Sequence, residues 1–72
     1  MTTEEFMIQL QDVLQTDAVL SADTVLADLE EWDSLAQMAT MSFLNRNFGV
    51  KTNIAELAAL GTVADLAHKA GL

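Results

Sequence analysis

Residues 33–49, which read DSLAQMATMSFLNRNFG, decide the fold of this chain. Asp33 is a favourable helix N-cap, and Ser34 with Gln37 forms an alternative capping-box pattern. Apolar residues then recur every three or four positions, which is helical spacing (Leu35, Met38, Met41, Leu44 and Phe48). Gly49 suits the left-handed position that follows a helix. The stretch therefore predicts a helix that starts at Asp33 or Ser34 and ends at Gly49.

Upstream of this helix, Thr2 and Glu5 form another capping box, so a first helix is predicted to begin there. Its apolar residues are spaced as one buried face (Phe6, Leu10, Val13 and Leu14). The pattern fades near Gln15. Residues 16–32 carry no Gly or Pro and an irregular apolar pattern, which predicts an ordered loop with one short helical turn.

Downstream, two shorter helices are predicted after an extended segment at 50–52. Asn53 caps the third helix, which is expected to end at Gly61, and its inward residues are Ile54, Leu57 and Leu60. Thr62 and Asp65 open the fourth helix, which ends at Gly71 and buries Val63, Leu66, Ala67 and Ala70. The predicted fold is all-α: a small four-helix bundle with a long first loop and a short third helix.

Length and composition narrow the class of protein. The chain has 72 residues, 51 % of them apolar, which predicts one domain over residues 1–72. No apolar run is long enough to span a membrane, and the acidic N-terminal residues do not resemble a secretory signal. A net charge of −8 argues against nucleic acid and favours a cytoplasmic protein with basic partners. No Cys and a single His, His68, leave neither a metal site nor a catalytic triad to propose.

The negative charge is unevenly distributed along the sequence. Residues 1–33 contain nine acidic residues and no basic one, whereas residues 34–72 contain two acidic and all three basic residues. The density of acids is highest just before Ser34, where four of the six residues from 28 to 33 are acidic (Asp28, Glu30, Glu31 and Asp33). These carboxylates are expected to steer a basic partner surface toward Ser34.

Ser34 is the one side chain whose position suggests chemistry. A helix N-terminus offers unpaired N–H groups and positive dipole potential, which suit a phosphate ester on the serine oxygen. No base stands nearby in sequence to activate the hydroxyl, so another enzyme would have to modify it. The alternative is that Ser34 serves only as a helix cap.

Three segments together resemble the acyl carrier protein family. Residues 31–36 read EWDSLA and contain the Asp-Ser-Leu signature of that family. Phe48-Gly49-Val50 is similar to the element that follows its second helix, and residues 56–66, ELAALGTVADL, are similar to its next segment. The resemblance covers nearly the whole chain.

The resemblance implies that Ser34 carries 4′-phosphopantetheine, attached from coenzyme A by a phosphopantetheinyl transferase with Mg²⁺. Its thiol would carry acyl groups as thioesters between loading and condensing enzymes. The chain itself would be a monomer without catalytic activity. Asp33 matches the residue that assists the transfer, and Leu35 matches one that contacts partners. The acidic residues before Ser34, with Glu56 from the third helix, would face basic docking surfaces. Met38 is assigned to either the core or the partner surface.

One departure from the family concerns the pathway. Carriers of bacterial fatty acid synthesis usually have acidic residues along the second helix, but residues 34–48 contain none and include Arg46. Its polar positions are uncharged instead (Gln37, Thr40, Ser42, Asn45 and Asn47). This favours a polyketide or other specialised pathway. The alternatives are a peptidyl or aminoacyl carrier and an unmodified helical interaction domain.

Overall fold

The computed structural model describes all 72 residues as four α-helices and one 3₁₀ turn. The helices are α1 (Thr3–Leu14), α2 (Ser34–Phe48), α3 (Ile54–Ala58) and α4 (Val63–Lys69), and the 3₁₀ turn is Leu26–Asp28. The only β-type pairing is an isolated bridge between Val25 and Thr62. The predicted four-helix fold is confirmed. No helix combines the length and apolarity that crossing a bilayer would require.

The core is built around three phenylalanine rings. Phe6 of α1 lies with its ring centroid 5.8 Å from those of both Phe43 and Phe48 at the far end of α2. The Phe43 and Phe48 centroids are 5.9 Å apart at nearly perpendicular ring planes, an arrangement that aromatic pairs favour. Phe6 is fully buried, as are Leu10 and Leu66 beside it in the same core. The predicted inner faces of α1 and α4 are confirmed.

The buried face of α2 differs from the apolar spacing in its sequence. Leu35 and Met38 are 75 % and 52 % exposed. The residues that α2 buries are Ala36, Gln37, Thr40, Phe43 and Leu44. Thr40 is fully buried because its hydroxyl donates a 2.8 Å hydrogen bond to the Ala36 carbonyl, which satisfies it within the helix. Two polar residues therefore occupy the core side, and two apolar residues are left on the surface.

The long loop between α1 and α2 is fixed to the start of α4. The Leu26 N–H donates to the Gly61 carbonyl at 2.9 Å, and the Val63 and Ala64 N–H groups donate to loop carbonyls at 3.0 Å. Leu20 and Leu26 are buried in the core beneath the loop. The predicted ordered loop with one helical turn is confirmed.

One helix ends short of its predicted glycine stop. α1 ends where its apolar pattern fades, at Gln15, which is left-handed with φ 54°, and no glycine marks that turn. α3 ends at Ala58 and not at Gly61. The N–H groups of Gly61 and Thr62 instead donate to the Asp65 carboxylate, which belongs to the cap of α4. Gly49 does follow α2 in the left-handed conformation, with φ 66°.

Candidate functional site

Ser34 is the first residue of α2, and it is exposed. The preceding residue, Asp33, caps the helix: its Oδ1 accepts a 2.9 Å hydrogen bond from the Ala36 N–H. The alternative capping box of Ser34 with Gln37 is wrong, because Gln37 is turned into the core and only 9 % exposed. The Ser34 hydroxyl consequently makes no hydrogen bond within the protein. It is free to be modified without any cost to the cap.

The backbone around Ser34 suits a phosphate ester. The N–H groups of Ser34 and Leu35 have no acceptor in the protein, since the Asp33 carboxylate takes only the Ala36 N–H. These two donors lie at the positive end of a 15-residue helix, where an anion is stabilised. The residues present therefore fit a phosphate-linked prosthetic group on Ser34.

The apolar residues that follow Ser34 lie on the surface of α2. Leu35 and Met38 are both exposed, which removes Met38 from the core and leaves it available to a partner or a cargo. Met41 is half-buried and packs against the core, as its spacing predicted. Leu35 also lines a shallow groove of about 270 Å³ between the end of α1 and the start of α2. Its acidic lining residues are Glu31 and Asp33.

The acidic residues before Ser34 have no cationic partner. Asp28 and Glu30 are exposed and Glu31 is half-buried, and the only ion pair in the chain lies elsewhere. Trp32, between these acids and the cap, is half-buried against the core and anchors this end of the loop. The loop thus holds its unpaired carboxylates next to the N-terminus of α2.

Glu56 differs from the other acids that the sequence assigned to partner contacts. Its Oε2 accepts a 2.9 Å hydrogen bond from the Lys69 Nζ of α4. The charge of Glu56 is therefore largely balanced within the protein, whereas those of Asp28 and Glu30 are not.

The capping box of α4 controls where the loop is attached. The Asp65 carboxylate accepts hydrogen bonds from the Thr62 and Gly61 N–H groups, each at 3.0 Å. These bonds to the backbone, that from Thr62 first, lower the pKa of Asp65 below its ordinary value. Because Gly61 and Val63 also bond the loop, the cap supports the attachment of the loop that carries these acids.

Sequence reasoning missed a polar cleft at the other end of α2. The cleft has a volume of about 410 Å³ and lies between the last turns of α2 and the segment after Gly49. Six residues line it: Met41, Ser42, Asn45, Arg46, Lys51 and Thr52. It contains two of the three basic residues of the chain, and neither forms an ion pair. The sequence did offer one signal for this cleft, which is Arg46 in a helix without acids. It gave no sign that Lys51 folds back beside Arg46.

Comparison with known proteins identifies the class. The family model for the phosphopantetheine attachment site matches residues 6–69. Among solved structures, the chain is similar to the solution NMR structure of a holo acyl carrier protein from Geobacter metallireducens, with 28 % identity and a TM-score of 0.74. The match covers 97 % of this chain and 82 % of that one. A search of curated proteins gave no match.

The chain therefore belongs to the phosphopantetheine-attachment family of carrier proteins. It is an acyl carrier protein, and not a catalyst, and its prosthetic group is covalently bound 4′-phosphopantetheine.

Proposed function

We propose that Ser34 is the attachment site and that residues 1–72 form one carrier domain for a specialised biosynthetic pathway of the polyketide type. The observation that carries the attachment site is the free Ser34 hydroxyl at a helix N-terminus that Asp33 already caps. Ser21 and Ser42 are also exposed, but Ser21 bonds Thr24 within the loop and Ser42 lies in the middle of α2. The N–H groups around Ser42 are bonded within α2, and Ser21 does not stand at the start of a helix.

In the attachment step, the Ser34 Oγ forms a bond to the phosphorus of the phosphopantetheine half of coenzyme A. The pyrophosphate bond breaks, adenosine 3′,5′-bisphosphate leaves, and the hydroxyl proton passes to a base of the transferase. The N–H groups of Ser34 and Leu35 then stabilise the resulting phosphodiester. Asp33 keeps the helix start in place and adds a carboxylate beside the reacting oxygen. Once attached, the group supplies a thiol that holds an acyl chain as a thioester.

Partner recognition is divided between charge and apolar contact. The unpaired carboxylates of Asp28, Glu30 and Glu31 attract a basic surface and raise the rate of encounter. Leu35 and Met38 then supply exposed apolar area for the docked complex, next to the modified serine. Glu56 contributes less, because Lys69 already neutralises it. Such binding is fast and reversible, as a monomeric carrier that visits several enzymes requires.

The specialised pathway is supported by the surface of α2. Residues 34–48 contain no acid, and Gln37 and Thr40 are buried. Beyond Ser34, the uncharged polar residues that α2 exposes beside Arg46 are therefore Ser42, Asn45 and Asn47. The neutral and basic surface of α2 would not match a partner that recognises a uniformly acidic second helix. Identifying the acyl group on protein purified from its native host tests this part. A polyketide or other specialised intermediate is expected, and simple fatty acyl chains alone would overturn it.

The attachment site is tested by incubating the purified chain with coenzyme A, Mg²⁺ and a phosphopantetheinyl transferase. The wild type should gain the mass of one phosphopantetheinyl group. Ser34→Ala should gain none, although its circular dichroism spectrum should stay that of the wild type. Ser42→Ala is the matched control, because it removes an exposed hydroxyl from the same helix, and it should be modified like the wild type. Modification of Ser34→Ala would refute the assignment.

A further inference from the structure

The polar cleft described above holds the two basic side chains that the rest of the fold leaves unpaired. Arg46 is exposed in the last turn of α2, and Lys51 is exposed in the segment that follows Gly49. The single ion pair of the chain uses Lys69 and leaves both of them free. Arg46 also borders a groove on the α1 side that contains Asp12, but the two side chains form no ion pair. In a protein with a net charge of −8, this cleft is where an anion meets the least repulsion.

The cleft and Ser34 lie on one side of α2. Ser34, Met38, Met41 and Asn45 are spaced four, three and four residues apart, so they form one stripe along the helix. Met41 and Asn45 are themselves part of the cleft lining. Ser34, Met38 and Asn45 are exposed and Met41 is half-buried, so the stripe is an open surface from the attachment site to the cleft.

The length of the prosthetic group matches this stripe. From the serine oxygen to the sulfur, phosphopantetheine has about fourteen backbone bonds, which at three bonds per extended residue span about 16 Å. Along α2, Asn45 lies eleven residues beyond Ser34, which is also about 16 Å at the helical rise per residue. An arm that lies extended along the stripe would therefore bring its acyl group to the start of the cleft. A carboxylate at the far end of that group would then lie within the range of Arg46 and Lys51.

From this placement, and on the basis of the proposed attachment at Ser34, we infer that the polar cleft receives the free carboxylate of a dicarboxylic acyl group carried as a half-thioester. Arg46 and Lys51 supply the positive charge, and Ser42, Asn45 and Thr52 supply hydrogen-bonding groups. Met38 and Met41 give the arm an apolar surface to lie on. The same cations would not distinguish among neutral acyl groups. The cleft is thereby assigned to acyl groups that carry a second, ionised carboxylate.

The test compares two cargoes of the same shape and different charge. Malonyl and isovaleryl groups have the same branched skeleton, and only malonyl carries a carboxylate. Each is loaded from its coenzyme A thioester by the transferase, and mass spectrometry confirms the loading before any further measurement. Absence of loading would count against the proposed attachment at Ser34 and would be seen at this step, separately from the cleft.

The readout is the NMR spectrum of the isotopically labelled, loaded protein at low salt. The Arg46 side-chain N–H and the backbone amides of Lys51 and Thr52 should shift with malonyl and not with isovaleryl. The backbone amide shifts at positions 51 and 52 should disappear in Arg46→Gln/Lys51→Gln, and all of the shifts should disappear in the wild type at high salt, because exposed ion pairs are screened. Lys69→Gln is the matched control, since it also removes a cation but lies outside the cleft, and its malonyl-dependent shifts should persist.

A second readout follows the cargo itself. The carboxylate of ¹³C-labelled malonyl should titrate at a pH lower by roughly half a unit or less in the wild type than in the double variant, in line with exposed ion pairs. Equal shifts for malonyl and isovaleryl, or malonyl shifts that survive in the double variant, would overturn the inference. Shifts that appear only on addition of an acidic protein would assign the cleft to a protein partner, and would also overturn it.

Discussion

Asp33 caps α2 through a 2.9 Å hydrogen bond from the Ala36 N–H to its carboxylate, and this leaves the neighbouring Ser34 without a structural task. Adjacent residues at a helix start often compete for the cap, because serine and aspartate are both favoured there. In this chain the competition is decided for Asp33. This arrangement favours the proposed attachment at Ser34, because a serine that capped the helix would lose that hydrogen bond on modification.

The two roles of Asp33 can be separated by substitution. Asp33→Ala should lower the free energy of unfolding by about 1 kcal/mol, the usual value of an N-cap, and should slow modification of Ser34. Asp33→Asn keeps a side-chain oxygen for the Ala36 N–H but loses the charge. It should therefore keep nearly wild-type stability in urea unfolding and still be modified slowly. Full transferase activity on Asp33→Asn would show that the charge has no part in the reaction.

The unpaired acids of the loop are expected to act on the rate of encounter. Glu30→Gln/Glu31→Gln should lower kcat/KM for the transferase roughly three- to tenfold at low salt, within the range of electrostatic steering. The difference from wild type should shrink as salt rises. Glu4→Gln/Asp12→Asn removes the same charge from α1 and is the control. An equal loss in this control would show that only total charge matters.

Glu56 provides a comparison within the same set of acids. Because Lys69 contacts its carboxylate at 2.9 Å, Glu56→Gln should change kcat/KM less than Glu30→Gln does under the same conditions. Both rates are measured at low salt with the same transferase. A larger effect for Glu56→Gln would mean that its ion pair opens when the partner docks.

Much of the fold follows from local rules that the sequence displays. The caps of all four helices, from Thr2 with Glu5 to Thr62 with Asp65, lie where the sequence predicted them, because a cap needs only residues three positions apart. The end of α1 near Gln15 also agrees with the point where its apolar pattern fades. The left-handed conformation of Gln15 and the burial of Thr40 were not predictable, because the first occurs without a glycine and the second depends on a hydroxyl satisfied inside its own helix.

The candidate site divides in the same way. The position of Ser34 at the N-terminus of α2 is local and was predicted, whereas its free hydroxyl became visible only when Gln37 proved to be buried. The ion pair of Glu56 with Lys69 joins residues on two helices, and the polar cleft needs Lys51 to fold back on α2. Contacts of this kind depend on how the helices and loops pack together, which the spacing of residues along the sequence does not predict.

The Asp65 cap should make stability depend on pH. Hydrogen bonds from the Thr62 and Gly61 N–H groups lower the pKa of Asp65 in the folded protein below the ordinary value of 3.8. Its contribution is therefore fully present above pH 3.8 and is lost as the pH falls through the lower folded pKa. Asp65→Asn should lose less stability than the wild type over this acid range, measured by urea unfolding. An unchanged slope in the variant would contradict the assignment.

Removing the Asp65 side chain should loosen the loop at neutral pH, because both backbone bonds to it are then lost. The Leu26 N–H bonds the Gly61 carbonyl, and the Gly61 N–H bonds Asp65. Amide hydrogen exchange at Leu26 and Val63 should therefore be faster in Asp65→Ala than in the wild type, relative to amides in the middle of α2. Uniform acceleration over the whole chain would indicate global destabilisation and not a local release of the loop.

The aromatic core should dominate stability. Phe6→Ala removes a fully buried ring that contacts both other phenylalanines, and such a change costs about 3–5 kcal/mol. A chain of 72 residues has a total stability of roughly 4–11 kcal/mol, so much of it would be lost. Ile8→Ala on the same helix is the control, since Ile8 is 68 % exposed, and it should change unfolding by less than about 0.5 kcal/mol. Similar losses for both variants in chemical denaturation would contradict this account of the core.

The central claim is that Ser34 alone carries the phosphopantetheine. The most direct measurement is fragmentation mass spectrometry of the intact modified protein, which locates the added group by residue. Every fragment containing Ser34 should bear one phosphopantetheinyl mass, and fragments containing only Ser21 or Ser42 should bear none. A phosphopantetheinyl group found on any other residue, or a wild-type chain that is never modified, would contradict it.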